Sequence, residues 1–181
     1  MPHTNLRELA FQMQSKELRD YGREVLQRDP NRAAAAEVLD LMAYLVECDF
    51  VGAEAKIDTI KYRFQNTDDE GYVAEAITLA KSHIDFAFGR FDELHDSANS
   101  FLKHNKNWPT IEKGEFLDVL RILAQRAMFL DLNHELEQIL EDMKQYQTND
   151  NSVNQLYLTN SIIALWTFVE GNLYDAEIIA K

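Results

Sequence analysis

Cysteine is nearly absent from this chain. Cys48 stands alone among 181 residues, so no internal disulfide can brace the fold. Turn-formers are scarce as well: six glycines and three prolines are too few for an all-β protein, which needs a turn after every short strand. Positive charge is in deficit, with Lys+Arg 18 against Asp+Glu 31 and a net charge of −13. That balance excludes nucleic acid as the main partner, because phosphate binding runs on clustered Lys and Arg, and it argues equally against an anionic membrane surface. No run approaches the roughly 18 consecutive apolar residues of a membrane span. The first residues, Met1-Pro2-His3-Thr4-Asn5-Leu6-Arg7-Glu8, lack a basic segment followed by an apolar one, so a secretory signal is not expected and a cytoplasmic location is the simplest reading.

Recognisable chemistry is missing too. The five histidines, His3, His83, His95, His104 and His134, include no i, i+4 pair and no HExxH, so a metal site is not expected. Cys48 lies between the acidic Glu47 and Asp49, without the basic neighbours that activate a thiol. Asp68-Asp69-Glu70-Gly71 and Asn149-Asp150-Asn151 lack the alternating ligands and closing Glu of a calcium loop. No phosphate-binding glycine loop or nucleophile elbow occurs. With 31 carboxylates available, an acidic pair such as Glu141/Asp142 says little about acid–base catalysis. The expectation is a protein that is not an enzyme and carries no cofactor.

What the sequence does contain is helix. Hydrophobic residues make up 46% of it, enough for a substantial core. Apolar residues recur at three and four, as in Val38, Leu41/Met42, Leu45 and in Leu117, Leu120, Leu123/Ala124, Ala127/Met128. Asp29-Pro30 reads as an N-cap with Pro at the first helical position, and Thr67-Asp68-Asp69-Glu70 and Ser152-Val153-Asn154-Gln155 read as capping boxes. Trp108-Pro109-Thr110 marks a further boundary. These signals predict an all-α chain with helices over 5–28, with a break near Ser15, then 31–47, 51–64, 69–87, 91–104, 110–130, 134–147, 152–169 and 173–181.

Self-similarity adds the organisation. Four places end one helix in an apolar-rich turn and start another within a few residues. They are Val46-Glu47-Cys48-Asp49-Phe50-Val51-Gly52-Ala53, Ala87-Phe88-Gly89-Arg90-Phe91-Asp92-Glu93-Leu94, Phe129-Leu130-Asp131-Leu132-Asn133-His134-Glu135-Leu136 and Val169-Glu170-Gly171-Asn172-Leu173-Tyr174-Asp175-Ala176. The turn residue falls at Cys48, Gly89, Asp131 and Gly171, at intervals of 89 − 48 = 41, 131 − 89 = 42 and 171 − 131 = 40 residues. Seven before the turn stand Leu41, Ser82, Ala124 and Ala164, mostly small, as a close helix approach requires; three before it stand the large Leu45, Phe86, Met128 and Phe168. Five after it come Ala53, Leu94, Leu136 and Ala176, and nine after it Ile57, Ala98, Leu140 and Ala180, the inward face of the second helix.

Phe88-Gly89-Arg90-Phe91-Asp92-Glu93-Leu94 and Glu170-Gly171-Asn172-Leu173-Tyr174-Asp175-Ala176 resemble the G-x-[YFL]-x-x-[AL] turn of tetratricopeptide (TPR) repeats. The 40–42 residue period resembles the extended TPR-like repeats of MalT-type bacterial regulators. The chain departs from that family where Tyr44, Asp85, Ala127 and Thr167 fill the helix-A Tyr column and where Cys48 and Asp131 replace glycine. The resemblance implies a TPR-like α-α superhelix of antiparallel helix pairs. An N-terminal helical segment over 1–30 would precede about four pairs over 31–181, the last cut within its second helix at Ala176–Lys181. It further implies a non-catalytic module that binds a protein or peptide, as the regulatory part of a larger bacterial signalling or transcription protein.

On the concave face of such an array the register places Met42, His83, Gln125 and Leu165 in one column and Val38, Leu79, Arg121 and Ser161 in another. Polar groups in those rows, His83, Arg121 and Gln125, with Asp118 one turn earlier, are the candidate contacts for an extended peptide or helix, and the acid excess favours a basic one. Self-association through the exposed last repeat is the other partnership this pattern allows. The alternatives are a small-molecule or peptide sensor controlling an attached effector and, last, a helical-repeat enzyme.

Overall fold

The computed structural model describes residues 15–105 and 113–147. The predicted helices over 152–169 and 173–181, the first ten residues of 5–28, the Trp108-Pro109 boundary and the fourth turn at Gly171 lie outside them. The described residues form seven α-helices and one short 3-10 turn, with no strand among them. The helices are α1 Ser15–Arg28, α2 Ala33–Val46, α3 Phe50–Phe64, α4 Glu70–Ala87, α5 Phe91–Asn105, α6 Lys113–Phe129 and α7 Asn133–Gln147; the 3-10 turn, Pro30–Arg32, precedes α2. The chain divides into two compact units, Met1–Gly89 and Arg90–Lys181.

In the first unit α1 packs on α2, α2 on α3 and α4, and α3 on α4. Helix α2 is central, and its sequence is apolar nearly all round, as a helix buried on two sides must be. Leu39 and Ala43 meet Leu18 of α1, while Ala34 and Leu41 join Ala53, Ile57 and Ile60 of α3 and Val73, Ile77, Ala80 and Ile84 of α4. Gly22 of α1 lets the helices approach; a β-carbon there would stand 3.3 Å from the Ala36 carbonyl oxygen. In the second unit α6 packs on both α5 and α7, with Val119, Leu120, Ile122, Leu123, Ala124 and Ala127 all buried.

The turn columns adopt one geometry. Cys48, Gly89 and Asp131 take φ of 56°, 69° and 58°, the left-handed conformation that ends a helix by bonding its last carbonyls backwards. At Cys48 the Asp49 N–H donates to the Tyr44 carbonyl at 3.0 Å, and at Asp131 the Leu132 N–H donates to the Ala127 carbonyl at 2.8 Å. Leu41, Ser82 and Ala124 are fully buried, as are Ala53, Leu94, Leu136 and Ala98, and Ile57 and Leu140 are nearly so. The column of Leu45, Phe86 and Met128 is only half-buried.

Two local expectations need correction. The Asp29 carboxylate accepts from the Asn31 N–H at 3.0 Å, but it caps the 3-10 turn, and α2 starts three residues later at Ala33. Thr67 and Glu70 do not form a capping box. The Thr67 hydroxyl donates backwards to the Phe64 carbonyl at 2.8 Å, and the Glu70 carboxylate accepts from the Asn66 N–H at 3.1 Å. Asn66 is itself left-handed, at φ 60°, so α3 needs its own closure there before α4 can begin.

Candidate functional site

Asp118, Arg121 and Gln125 fall on one stripe of α6 at i, i+3 and i+7. All three are half-buried. Asp118 Oδ1 lies 3.7 Å from Arg121 Nε, close enough for charge attraction but beyond hydrogen-bond reach. Arg121 Nε is buried and has no hydrogen-bond acceptor among the described residues. The geometry therefore leaves the Arg121 Nε–H without an acceptor and enclosed by protein rather than facing solvent. His83 is half-buried on α4 and belongs to the first unit, whereas the other three belong to the second. In the same register columns Met42 and Leu79 are half-buried and Val38 is buried; Leu165 and Ser161 lie outside the described residues.

The largest polar constellation among the described residues was not legible as a site in the sequence. Glu37, Asp40 and Tyr44 form a stripe along α2 that its C-cap residue Glu47 extends, and cations reach it from both sides. Arg19 of α1 bonds the Glu47 carboxylate through both terminal nitrogens, donates from Nε to Asp40 at 3.1 Å, and lies 4.9 Å from the centre of the Tyr44 ring. Lys56 of α3 sits 2.5 Å from Glu37 and 2.7 Å from Asp40, and Arg63 also pairs with Glu37. The Arg19 hydrogen bond, followed by one from the Ser15 hydroxyl, holds the Glu47 carboxyl down at about 2. Burial works against the Lys56 charge, but its hydrogen bonds to Asp40 and Glu37 outweigh that and raise its pKa.

Each carboxylate in this stripe is committed to a cation. The arrangement ties α1, α2 and α3 together and leaves none of these groups free for proton transfer. A sequence signal existed in the 3, 4, 3 spacing of Glu37, Asp40, Tyr44 and Glu47, but it is hidden among 31 acids until α1 and α3 are placed beside it.

A second clamp holds the other unit. Arg126, only 7% exposed, donates from Nε to the Phe91 carbonyl at 2.9 Å and from a terminal nitrogen to Glu135 at 2.8 Å. It thereby links the start of α5 and the start of α7 to α6. Among the described residues no group of His, Cys, Asp and Glu is arranged to hold a metal ion. No helix there is long and apolar enough to cross a membrane. No family model, curated protein or solved structure matches the chain.

Proposed function

We propose that the chain is a TPR-like helical-repeat scaffold that binds a protein or peptide segment and performs no chemistry of its own. The observation that carries this reading is the recurrence of one left-handed turn at Cys48, Gly89 and Asp131, 41 and 42 residues apart, with the columns seven before it and five and nine after it buried each time. A repeating helix pair leaves an apolar face for the next pair and a row of first helices for a ligand. The contact of α2 with α4, both first helices of their pairs, supports such a row in the first unit.

The α6 stripe supports where binding occurs, since Asp118, Arg121 and Gln125 share one half-buried polar row of α6. A scaffold of this kind suits the regulatory part of a larger bacterial signalling or transcription protein. The test is selection of peptides from a displayed library against the purified chain, followed by titration. Arg121→Ala and Gln125→Ala, and His83→Ala in the first unit, are expected to weaken selected peptides by at least about fivefold while leaving the helical signal unchanged. A library that yields no binder, or binders indifferent to all three changes, contradicts the reading.

A further inference from the structure

Large apolar side chains are exposed where the helix pairs turn. In the second unit Phe129 is 73% exposed, and Leu130 and Leu132 flank the left-handed Asp131 with more than a third of their surface in water. The Phe91 ring, at the first position of α5, lies 5.2 Å from the Phe129 ring at a 43° tilt, so Phe129 is supported on one side and open on the other. This patch is held rigidly. Arg126 bonds the Phe91 carbonyl, and the Leu132 N–H bonds the Ala127 carbonyl, so the backbone on each side of the rings is fixed. Phe129 follows Gln125 by one helical turn and so continues the Asp118–Arg121–Gln125 stripe.

The first unit carries a parallel arrangement. Phe50 opens α3 and meets the Phe88 ring edge-on at 6.2 Å and 71°, with Val51 beside it 70% exposed. The two ends differ in charge. Glu47 is neutralised by Arg19, and Asp49 is occupied in capping the Gly52 N–H. In the second unit Asp92, Glu93 and Asp131 are all exposed and make no ion pair among the described residues.

We infer that the patch of Phe129, Leu130 and Leu132 docks a basic amphipathic segment of another protein, its apolar side chains on this patch and its Lys or Arg residues toward Asp92, Glu93 and Asp131. Rigid aromatic anchors bordered by uncompensated charge are what such a segment requires. Charge decides among the occupants. A second copy of a chain with net charge −13 would bring acids against acids. The chain's own 148–181 carries Asp150, Glu170, Asp175 and Glu177 against a lone Lys181, the same sign as the patch rim. This inference rests on the binding reading of the α6 stripe and names the partner's chemistry.

The experiment is a fluorescence-anisotropy titration of the full chain with a labelled amphipathic helical peptide, Leu and Phe on one face and Lys on the other, and with its twin carrying Glu for Lys. The basic peptide is expected to bind at least about tenfold more tightly than its twin, with the difference shrinking as salt rises. Phe129→Ala is expected to weaken it at least about fivefold with the melting curve unchanged, because that side chain is mostly in water. Neutralising the rim as Asp92→Asn, Glu93→Gln and Asp131→Asn is expected to erase the preference between the peptides. Equal affinity for the two peptides, no binding of either, or indifference to Phe129→Ala would overturn the inference. Self-association of the chain that Phe129→Ala abolishes would overturn it too, by naming a second copy as the occupant. Weakening by Arg121→Ala but not by Phe129→Ala would leave the α6 stripe standing and the docking patch refuted.

Discussion

A β-carbon in the left-handed region costs roughly 1 kcal/mol, yet Cys48 and Asp131 accept that conformation where glycine would adopt it freely. Their N–H groups and those of the following residues close the preceding helix, and this compensation is why a degenerate turn sequence still makes a regular turn. Glycine matters more at Gly52. Its N–H bonds the Asp49 carboxylate at 2.9 Å, and a β-carbon there would lie 2.8 Å from Tyr44 Cδ1, inside any tolerable contact, and would crowd the same carboxylate. Gly52→Ala must displace either the cap or the ring that Arg19 covers. It is expected to lower stability by about 1–2 kcal/mol in thermal or urea denaturation. Gly71 is the internal control: a β-carbon there meets nothing within 4 Å, so Gly71→Ala should be neutral or stabilising by up to about 1 kcal/mol.

Between elements, the Arg19–Glu47 pair joins α1 to the turn that ends α2, and it makes that junction pH-dependent. The folded Glu47 carboxyl titrates at about 2 rather than its ordinary 4.5, a depressed value, so the pair's stabilisation is present above pH 4.5 and lost as pH falls towards 2. Glu47→Gln should therefore be less stable than the parent at neutral pH and converge with it in acid. Solvent reaches and screens the pair, so the pH window rather than the size of the gap identifies it. A gap that persists unchanged at pH 2 would refute the assignment.

The helices themselves were legible because their apolar period is strong: Phe91–Asn105 and Asn133–Gln147 sit within a residue of the ranges that the sequence predicts. The caps were less so, since Thr67 could serve either its own helix or the previous one, and only the left-handed Asn66 decides between them. The α6 stripe was readable from the register. Arg126 was not, because its partners Phe91 and Glu135 lie 35 and 9 residues away and meet it only through packing. The half-burial of Leu45, Phe86 and Met128 was likewise invisible, as size and polarity alone cannot distinguish a groove from a core.

At the scale of the whole molecule, the acid excess has two parts. On α2 it is spent internally, where Glu37, Asp40 and Glu47 are matched by Arg19, Lys56 and Arg63. Around Phe129 it stays exposed at Asp92, Glu93 and Asp131, and the proposed basic partner rests on that difference. The central claim of the proposed reading is that helix pairs repeat at nearly constant length, with turns at Cys48, Gly89 and Asp131. The direct test is to insert a second copy of residues 49–89, one full period of 41, between Gly89 and Arg90. A repeating scaffold gains a turn-to-turn unit whose faces match both neighbours. The enlarged chain is expected to stay monodisperse, keep its helical ellipticity per residue and unfold at a temperature no lower than the parent. Aggregation, or a loss of helicity per residue, would show that residues 49–89 are not an interchangeable period and would contradict the account.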